Sequence, residues 1–549
     1  MSGRLNWVKP KKISFMKSRI FSLFLFLLCH ANALAQKPSK AKLVVGIVVD
    51  QMRWDYLYRY QNRYGSSGFN RLLKEGFNCQ NTYLNYVPSY TAPGHASIYS
   101  GTVPAIHGIV GNDWIENNTE QYCAADKKVY SIGGSTKAGQ MSPRAMKTTT
   151  IGDELRLVTQ FRSRVFGIAL KDRGAIFPAG HSANAAFWFD DSTGNFISSS
   201  FYRNELPQWL QHFNAKRWAD TLLQNDWKTL YPIATYTESI ADNNAYEYLR
   251  KGETSPTFPH KVLPNNYKQI RSLPAGNTLT FQLAKTLINA EELGQKKETD
   301  MLCLSLSSTD YIGHAYAPNS VEVEDMYLRL DKDIASFLRY LDYTIGEGNY
   351  TIFLSADHGA AHNAPFLDEH KIPSGNLSEN ELEKELKALM KKTFGADSII
   401  RAVMNYQIIL DEPFIEKKKL NRTNIKNTLI KYCQKTEGIA QVIDLENMGQ
   451  NNIPGFLKEV IANGYYASRC GAIGIIYQPA WYSDGKKGTT HGTWNPYDTH
   501  IPLLWYGWGI PQGETFGRVE ASDIAATLAA LLHIQAPNGC IGNVIEMKK

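Results

Sequence analysis

Residues 42–50 read KLVVGIVVD, an apolar run without polar interruption that ends on an acid. A strand with one wet face alternates apolar and polar residues, so an unbroken run describes a strand covered on both faces, as in a parallel sheet flanked by helices. Three later stretches repeat the form: RVFGIAL (Arg164–Leu170), DMLCLSLSSTD (Asp300–Asp310) and YTIFLSADHG (Tyr350–Gly359). Each passes directly from apolar strand into polar or charged residues. Open α/β sheets bind ligands beyond the carboxyl ends of their strands, so these acidic tails are expected on one rim. The expected fold class is α/β, a large mixed, mostly parallel sheet sandwiched between helices.

Helical spacing runs through Ser320–Ile345 and through Ser378–Lys392, where a Ser378/Glu381 capping box opens a helix that buries Leu382, Leu386 and Leu389. A further amphipathic helix over Ala521–Ile534 is expected to close the core. The second of these helices lies in a long segment, residues 360–490, that separates SADHG from GTTHGTWNPYDTHIPLLWYG. That segment reads as an inserted cap subdomain. A length of 549 residues exceeds the usual single core, which allows one large α/β domain with insertions or two domains. The composition, 43% hydrophobic and 20% charged, is that of a globular chain and gives no signal of disorder.

The N-terminus reads as an export signal. Lys17 and Arg19 precede an apolar run, Ile20–Leu28, too short to span a bilayer, and Ala33-Leu34-Ala35 gives a small-x-small cleavage site. Residues 1–35 are therefore expected to be removed, with Met16 as an alternative start. Cys29 follows Leu28, where lipid attachment calls for a small residue, which argues against a lipoprotein. The expected location is periplasmic or secreted, with no stable membrane insertion after cleavage. The formal net charge is +7, but residues 1–35 hold six basic and no acidic side chains, which leaves +1. A near-neutral mature chain gives no reason to expect nucleic acid as a partner. Six cysteines remain, without CxxC spacing, and an even number in an exported chain suggests disulfides, by nearest neighbours Cys79–Cys123 and Cys433–Cys470. Any metal is then left to nitrogen and oxygen ligands.

Four separate pieces put Asp and His where strands end: Asp50; Asp310 with His314; Asp357 with His358; and His491. In STDYIGH the acid and imidazole are four apart, so a helical turn would present both to one side. Asp357 and His358 are neighbours and need a loop to turn both toward one ion. Carboxylate and imidazole ligands without thiolate suit catalytic zinc, and the set suffices for two ions. Each piece alone is weak, and their expected convergence on one rim gives them weight.

PSYTAPGHASIYSG (Ser89 onward within residues 88–101) adds a hydroxyl. With Pro93 in the first turn, the helix start falls at Thr91, which reads as an N-cap or its neighbour. The same geometry sets its oxygen beside backbone N–H groups and the positive helix end, which favour an alkoxide and a phosphate. Lys171 and Arg173, in LKDRGAIFPAGH, are two apart, so an extended backbone would project both to one side as a clamp on phosphoryl oxygens. GNDW (Gly111–Trp114) is a further polar segment. GKKGTT and GWGIPQG lack the spacing of nucleotide loops and read as ordinary loops.

Taken in order, VVDQMRWD, PSYTAPGHASIYSGTVPAIHGIVGNDW, LKDRGAIFPAGH, SSTDYIGHAYAP, SADHGA and THGTWNPYDTHIPLL resemble the alkaline phosphatase superfamily, and most of all its PafA-type periplasmic alkaline phosphatases, from about residue 42 to the C-terminus. The resemblance implies an alkaline phosphatase-like catalytic domain over residues 36–549 with the cap at about 360–490. It implies Thr91 as the nucleophile that becomes phosphothreonine, and Asp50, Asp357 and His358 as ligands of the zinc that meets its oxygen. Asp310, His314 and His491 then hold a second zinc, and Asn112, Lys171 and Arg173 hold the phosphoryl oxygens. Lys171 stands where related phosphatases place magnesium, so two zinc ions and no magnesium are expected. His95 matches no ligand and is given a supporting role. The expected substrates are small phosphate monoesters, whose dianionic group rewards a pair of cations, with high pH favourable and a monomer allowed. The alternative is a phosphodiesterase or nucleotide pyrophosphatase of the same superfamily. A sulfatase would need C/S-x-P-x-R, which TAPGH does not supply.

Overall fold

The computed structural model describes residues 1–5, 40–483 and 485–548. Residues 1–5 are exposed and carry no regular element. The remainder of the expected export signal, with Cys29 and the proposed cleavage site, lies outside the described residues.

Fourteen strands matter to the site. In chain order they are β1 (Leu43–Val49), β2 (Phe77–Cys79), β3 (Ser131–Ile132), β4 (Val165–Ala169), β5 (Ala185–Asp190), β6 (Asn195–Ser199) and β7 (Asp300–Leu306). There follow β8 (Tyr350–Ser355), β9 (Ile400–Met404), β10 (Gln407–Leu410), β11 (Ile439–Asp444), β12 (Ile473–Tyr477), β13 (Leu503–Gly507) and β14 (Gly513–Thr515). Ten of them form one sheet in the order β14-β2-β13-β8-β1-β7-β4-β5-β6-β3. The four runs expected to be buried strands are β8, β1, β7 and β4, adjacent and mutually parallel at its centre, and every residue in them is buried. β5 extends the parallel block, while β13 and β6 pair antiparallel at its flanks.

The parallel strands are in step. Val45 lies opposite Leu302 on one side and Ile352 on the other, and Leu302 lies opposite Phe166. Strands in step end together, and continuing the register past them puts Asp50, Ser307, Asp357 and Lys171 side by side at the carboxyl edge. The expected rim is therefore present, and its cause is register.

Helices α1 (Thr91–Ser100), α2 (Asp172–Ala179), α3 (Ser308–Tyr316), α4 (Val321–Leu341), α5 (Glu379–Phe394) and α6 (Asp523–Leu532) pack around this frame. α1 is buried along its whole length. Its close approach to the sheet depends on Gly46, where a Cβ would fall 2.3 Å from the Tyr99 hydroxyl and 2.5 Å from the Phe353 ring.

Residues 360–490 build their own four-stranded sheet, β9-β10-β12-β11. A separate apolar cluster forms under it around Leu386, Ile408, Leu429 and Ile473. Ser378 accepts from Glu381 N at 3.4 Å at the start of α5, whose inner face is Leu382, Leu386 and Met390. Leu389, expected inside, is only half-buried: Met390 continues the four-residue stripe begun by Leu382 and Leu386.

The disulfide expectation is corrected. All six described cysteines are free thiols. Cys79, Cys433 and Cys123 sit in three different apolar clusters, so neither expected pair is close enough to bond. No helix among the described residues is long and apolar enough to cross a membrane.

Candidate active site

Asp50 follows β1 directly, and Asp357 and His358 leave the end of β8 in a loop. These three offer ligand atoms within 4.8 Å of one another and are buried. The loop holds both its residues inward: Asp357 Oδ1 accepts from Gln51 N at 3.1 Å and His358 N at 3.0 Å. Asp310 and His314 lie one turn apart on α3, with Oδ1 and Nε2 3.2 Å apart, and His491 arrives from a loop before β13 to complete a second trio. The two trios adjoin, for the His358 and His491 rings stack with centroids 3.5 Å apart.

All three imidazoles are oriented alike. Nδ1 of His314, His358 and His491 lies 2.8, 3.0 and 2.7 Å from the carbonyls of Thr489, Gly359 and Ser89. A carbonyl only accepts, so the proton is on Nδ1 and the Nε2 lone pair faces the trio. That is how histidine is presented to a metal. Burial pushes His491 well below the usual imidazole range, helped by His358 and His314, and burial also lowers His358. Burial opposes the charged form of His314 as well, but Asp310 outweighs it and raises that group.

The carboxylates show the complementary need. Burial, then the neighbouring Asp357, pushes Asp50 well above the carboxylate range, with Lys171 pulling the other way. Asp50 Oδ1 and Asp357 Oδ2 are buried and meet no hydrogen-bond donor. Buried carboxylate oxygens without donors are costly unless a cation meets them. The residues thus fit two bound cations, with three nitrogen and oxygen ligands for each. Among biological metals that donor set suits catalytic zinc.

Of the two expected places, N-cap or its neighbour, Thr91 takes the second. It is the first residue of α1 rather than its cap: Tyr90, at φ −117° and ψ 163°, is the extended residue that precedes the helix. The Thr91 side chain makes no capping bond. Its Oγ lies 3.5 Å from His358 Nε2 and 3.4 Å from Lys171 Nζ. Lys171 reaches across both trios, with Nζ 2.7 Å from Asp50 Oδ2 and 2.6 Å from Asp310 Oδ2. Burial would discharge this amine, but Asp310 and Asp50 outweigh it and raise its pKa. Lys171 is therefore a fixed cation beside the hydroxyl.

The backbone that presents the clamp is not extended throughout. Lys171 caps α2 with extended torsions, and Arg173 is already inside the helix. The turn from β4 into α2 brings both side chains onto one cavity of 300 Å³. Tyr122 OH lies 3.2 Å from an Arg173 guanidinium nitrogen, and Asp172 holds both Tyr122 and the Arg173 backbone N–H. Asn112 Oδ1 accepts from Ala92 N at 3.1 Å, which ties it to the helix start next to Thr91.

His95 has the supporting place expected of it. Its Nδ1 lies 2.8 Å from Thr91 O and 3.3 Å from Asp357 Oδ2, and its Nε2 lies 2.8 Å from Ser305 Oγ on β7. Sequence reasoning missed Gln51. Its backbone N–H serves Asp357, and its Nε2 donates to Asp310 Oδ1 at 2.9 Å, so one residue braces both trios. A left-handed φ of 63° lets it do so, and nothing in VVDQM signals that torsion.

Residues 44–501 match the family described as type I phosphodiesterase / nucleotide pyrophosphatase. A protein of Myroides odoratus named calcium-transporting ATPase is 48% identical over 96% of this chain and 98% of its own. Alkaline phosphatase PhoV of Synechococcus elongatus is 47% identical over 96% of this chain and 99% of its own. Alkaline phosphatase PafA of Elizabethkingia meningoseptica is 47% identical over 93% and 95%. The crystal structure of PafA superposes with a TM-score of 0.91 at 46% identity, covering 93% of this chain and 99% of that one. A second structure, with TM-score 0.90, is a PafA variant in which a Thr, an Asn, a Lys and an Arg are replaced, in that chain order.

Proposed function

This chain belongs to the type I phosphodiesterase / nucleotide pyrophosphatase family, and from that premise we propose that it is an alkaline phosphatase, hydrolysing phosphate monoesters with Thr91 as nucleophile. One observation carries the monoester reading. Lys171, a buried cation, stands 3.4 Å from the Thr91 oxygen, with Arg173 on the same cavity wall. A monoester brings one more negative charge than a diester, and a cation pair meets it; a diester would need that place for its second substituent. Near full-length likeness to PafA and PhoV supports the same conclusion. The four residue types replaced in the PafA variant occur here in the same order, as Thr91, Asn112, Lys171 and Arg173.

Asp50, Asp357 and His358 would hold one zinc ion, and Asp310, His314 and His491 a second. Zinc so held would polarise the reacting oxygens and stabilise the charge they develop. The chain's own residues do the rest. α1 presents the Thr91 hydroxyl at its positive end, clear of capping duty. Lys171 and Arg173 hold the phosphoryl oxygens, and Asn112 extends that set from the start of α1. The Thr91 hydroxyl gives up its proton to solvent and its oxygen bonds to phosphorus as the ester oxygen leaves with its electron pair and takes a proton from water. Water then attacks the phosphothreonine, the bond to Thr91 breaks, and inorganic phosphate is released. Lys171 stays protonated throughout and answers the charge on the transferred group. The N-terminal segment directs the chain to the periplasm or the exterior.

Hydrolysis of an aryl phosphate compared with its methyl ester tests the reading. The expected result is a kcat/KM for the monoester that exceeds that for the diester; faster diester turnover would overturn the assignment in favour of a phosphodiesterase.

A further inference from the structure

The cavity that Lys171 and Arg173 line does not end at the clamp. It shares Lys268, Arg271 and Tyr311 with a second cavity of 280 Å³, so the two form one groove. Arg271 is its hinge point, fixed by an ion pair to Asp191 at 2.6 Å and by bonds to the carbonyls of Leu170 and Phe189. Helix α3 sets the groove against the metal trios. Asp310 and His314 face the ligands, while Tyr311 and Ala315, one position further round, line the groove.

Its charge is one-sided. The second cavity is lined by Arg250, Lys251, Lys261, Lys268 and Arg271 and by no acidic residue. The acids of the first cavity are committed. Asp172 serves Tyr122 and Arg173, Asp190 accepts from Ser135 and Ser192, and Asp191 pairs with Arg271. Lys251, Lys261 and Lys268 are exposed and form no ion pair among the described residues. Low-dielectric walls lined by one sign of charge concentrate ligands of the opposite sign.

We infer that this groove is an anion subsite for the part of the substrate beyond the scissile bond, which selects polyphosphorylated small molecules. The inference rests on the phosphatase reading: one phosphate sits between Thr91 and the Lys171/Arg173 clamp, and a second, on the leaving alcohol, lies among Lys268, Lys251 and Lys261. It adds no chemical step. A second phosphate raises productive binding, and each monoester is cleaved in turn as it enters the clamp.

The test compares fructose 1,6-bisphosphate with fructose 1-phosphate, and uses phenyl phosphate as reference. At low salt the bisphosphate is expected to have a kcat/KM about tenfold higher, falling toward a ratio of about 2, the statistical value for two scissile groups, as ionic strength rises and screens the groove. In the Lys251→Ala/Lys261→Ala/Lys268→Ala variant the ratio should stay near 2 at all salt concentrations, with phenyl phosphate turnover unchanged. A wild-type ratio near 2, or one the triple variant leaves intact, overturns the inference while the phosphatase assignment stands. Binding of inositol hexakisphosphate to the Thr91→Ala protein, read by calorimetry, gives a second measurement that needs no turnover. The lysine substitutions should weaken it about tenfold, and equal affinity would overturn the subsite even if phenyl phosphate proved not to be a substrate.

Discussion

Thr91 and Lys171 are the two side chains whose removal should separate chemistry from binding. Thr91→Ala deletes the proposed attacking oxygen and no candidate metal ligand from either trio, so turnover of an aryl phosphate should drop by at least about a thousandfold. Metal content, measured on the same protein, should be retained; activity within tenfold of wild type would refute a covalent route. Lys171→Ala removes a fixed cation worth about 2–4 kcal/mol of transition-state stabilisation. The loss in kcat/KM should be larger for the monoester than for its diester, and an equal loss would mean the amine only organises Asp50 and Asp310. At this scale much was legible beforehand. Asp50, Asp310 and Asp357 stand at the ends of unmistakable strands, and the spacing of Asp310 and His314 is helical. Gln51 was not legible, because its role depends on a left-handed torsion and on two partners far away in sequence. The Arg173 brace from Tyr122 was hidden for the same reason: a hydroxyl at the end of a short hairpin strand gives no sign of what it will meet.

Helix α1 does its work through where it starts and how closely it lies. Proline and small residues announced a helix near Thr91, but the assignment of its first residue turned on the torsions of Tyr90, which propensity does not specify to one position. Closeness is set by Gly94, where a Cβ would stand 2.5 Å from Asp357 O and 2.6 Å from its Cβ. Gly94→Ala should force the helix off the loop that carries Asp357 and His358, at a cost of about 1–3 kcal/mol. Thermal unfolding should show the loss, and activity should fall with it; an unchanged melting temperature would show that the loop yields freely. On α5, the periodicity identified the stripe but assigned Leu389 where Met390 is buried, a one-residue drift that pattern alone cannot fix.

Across the whole molecule, the parallel centre of the sheet was readable from four apolar runs, whereas its flanks were not. β13, β2 and β14 are short, and their stacking outward from β8, each on the one before in the order β13, β2, β14, is settled by tertiary packing rather than by local pattern. The cysteines misled because pairing was inferred from sequence distance, and the partners of each expected pair, Cys79 with Cys123 and Cys433 with Cys470, proved to belong to different apolar clusters. Buried acids away from the site give the fold a pH dependence. Burial, then Glu322 and Asp242, pushes Glu247 up to about 10, with Lys487 opposing. In the unfolded chain a glutamate releases its proton near pH 4.3, so from about there to pH 10 the native state keeps a proton the unfolded state loses. Stability carried by this group is complete at low pH and declines as pH rises through that window. Glu247→Gln should flatten the fall in melting temperature between pH 5 and pH 9, and parallel curves for the two proteins would disprove the linkage.

The two ligand trios draw on strands, a helix and loops from Asp50 to His491. A ribosome that stalls anywhere in between releases a chain with much of the sheet's sequence and no complete centre. Activity therefore reports a chain synthesised at least as far as His491 with all of these pieces folded together, without any separate inspection.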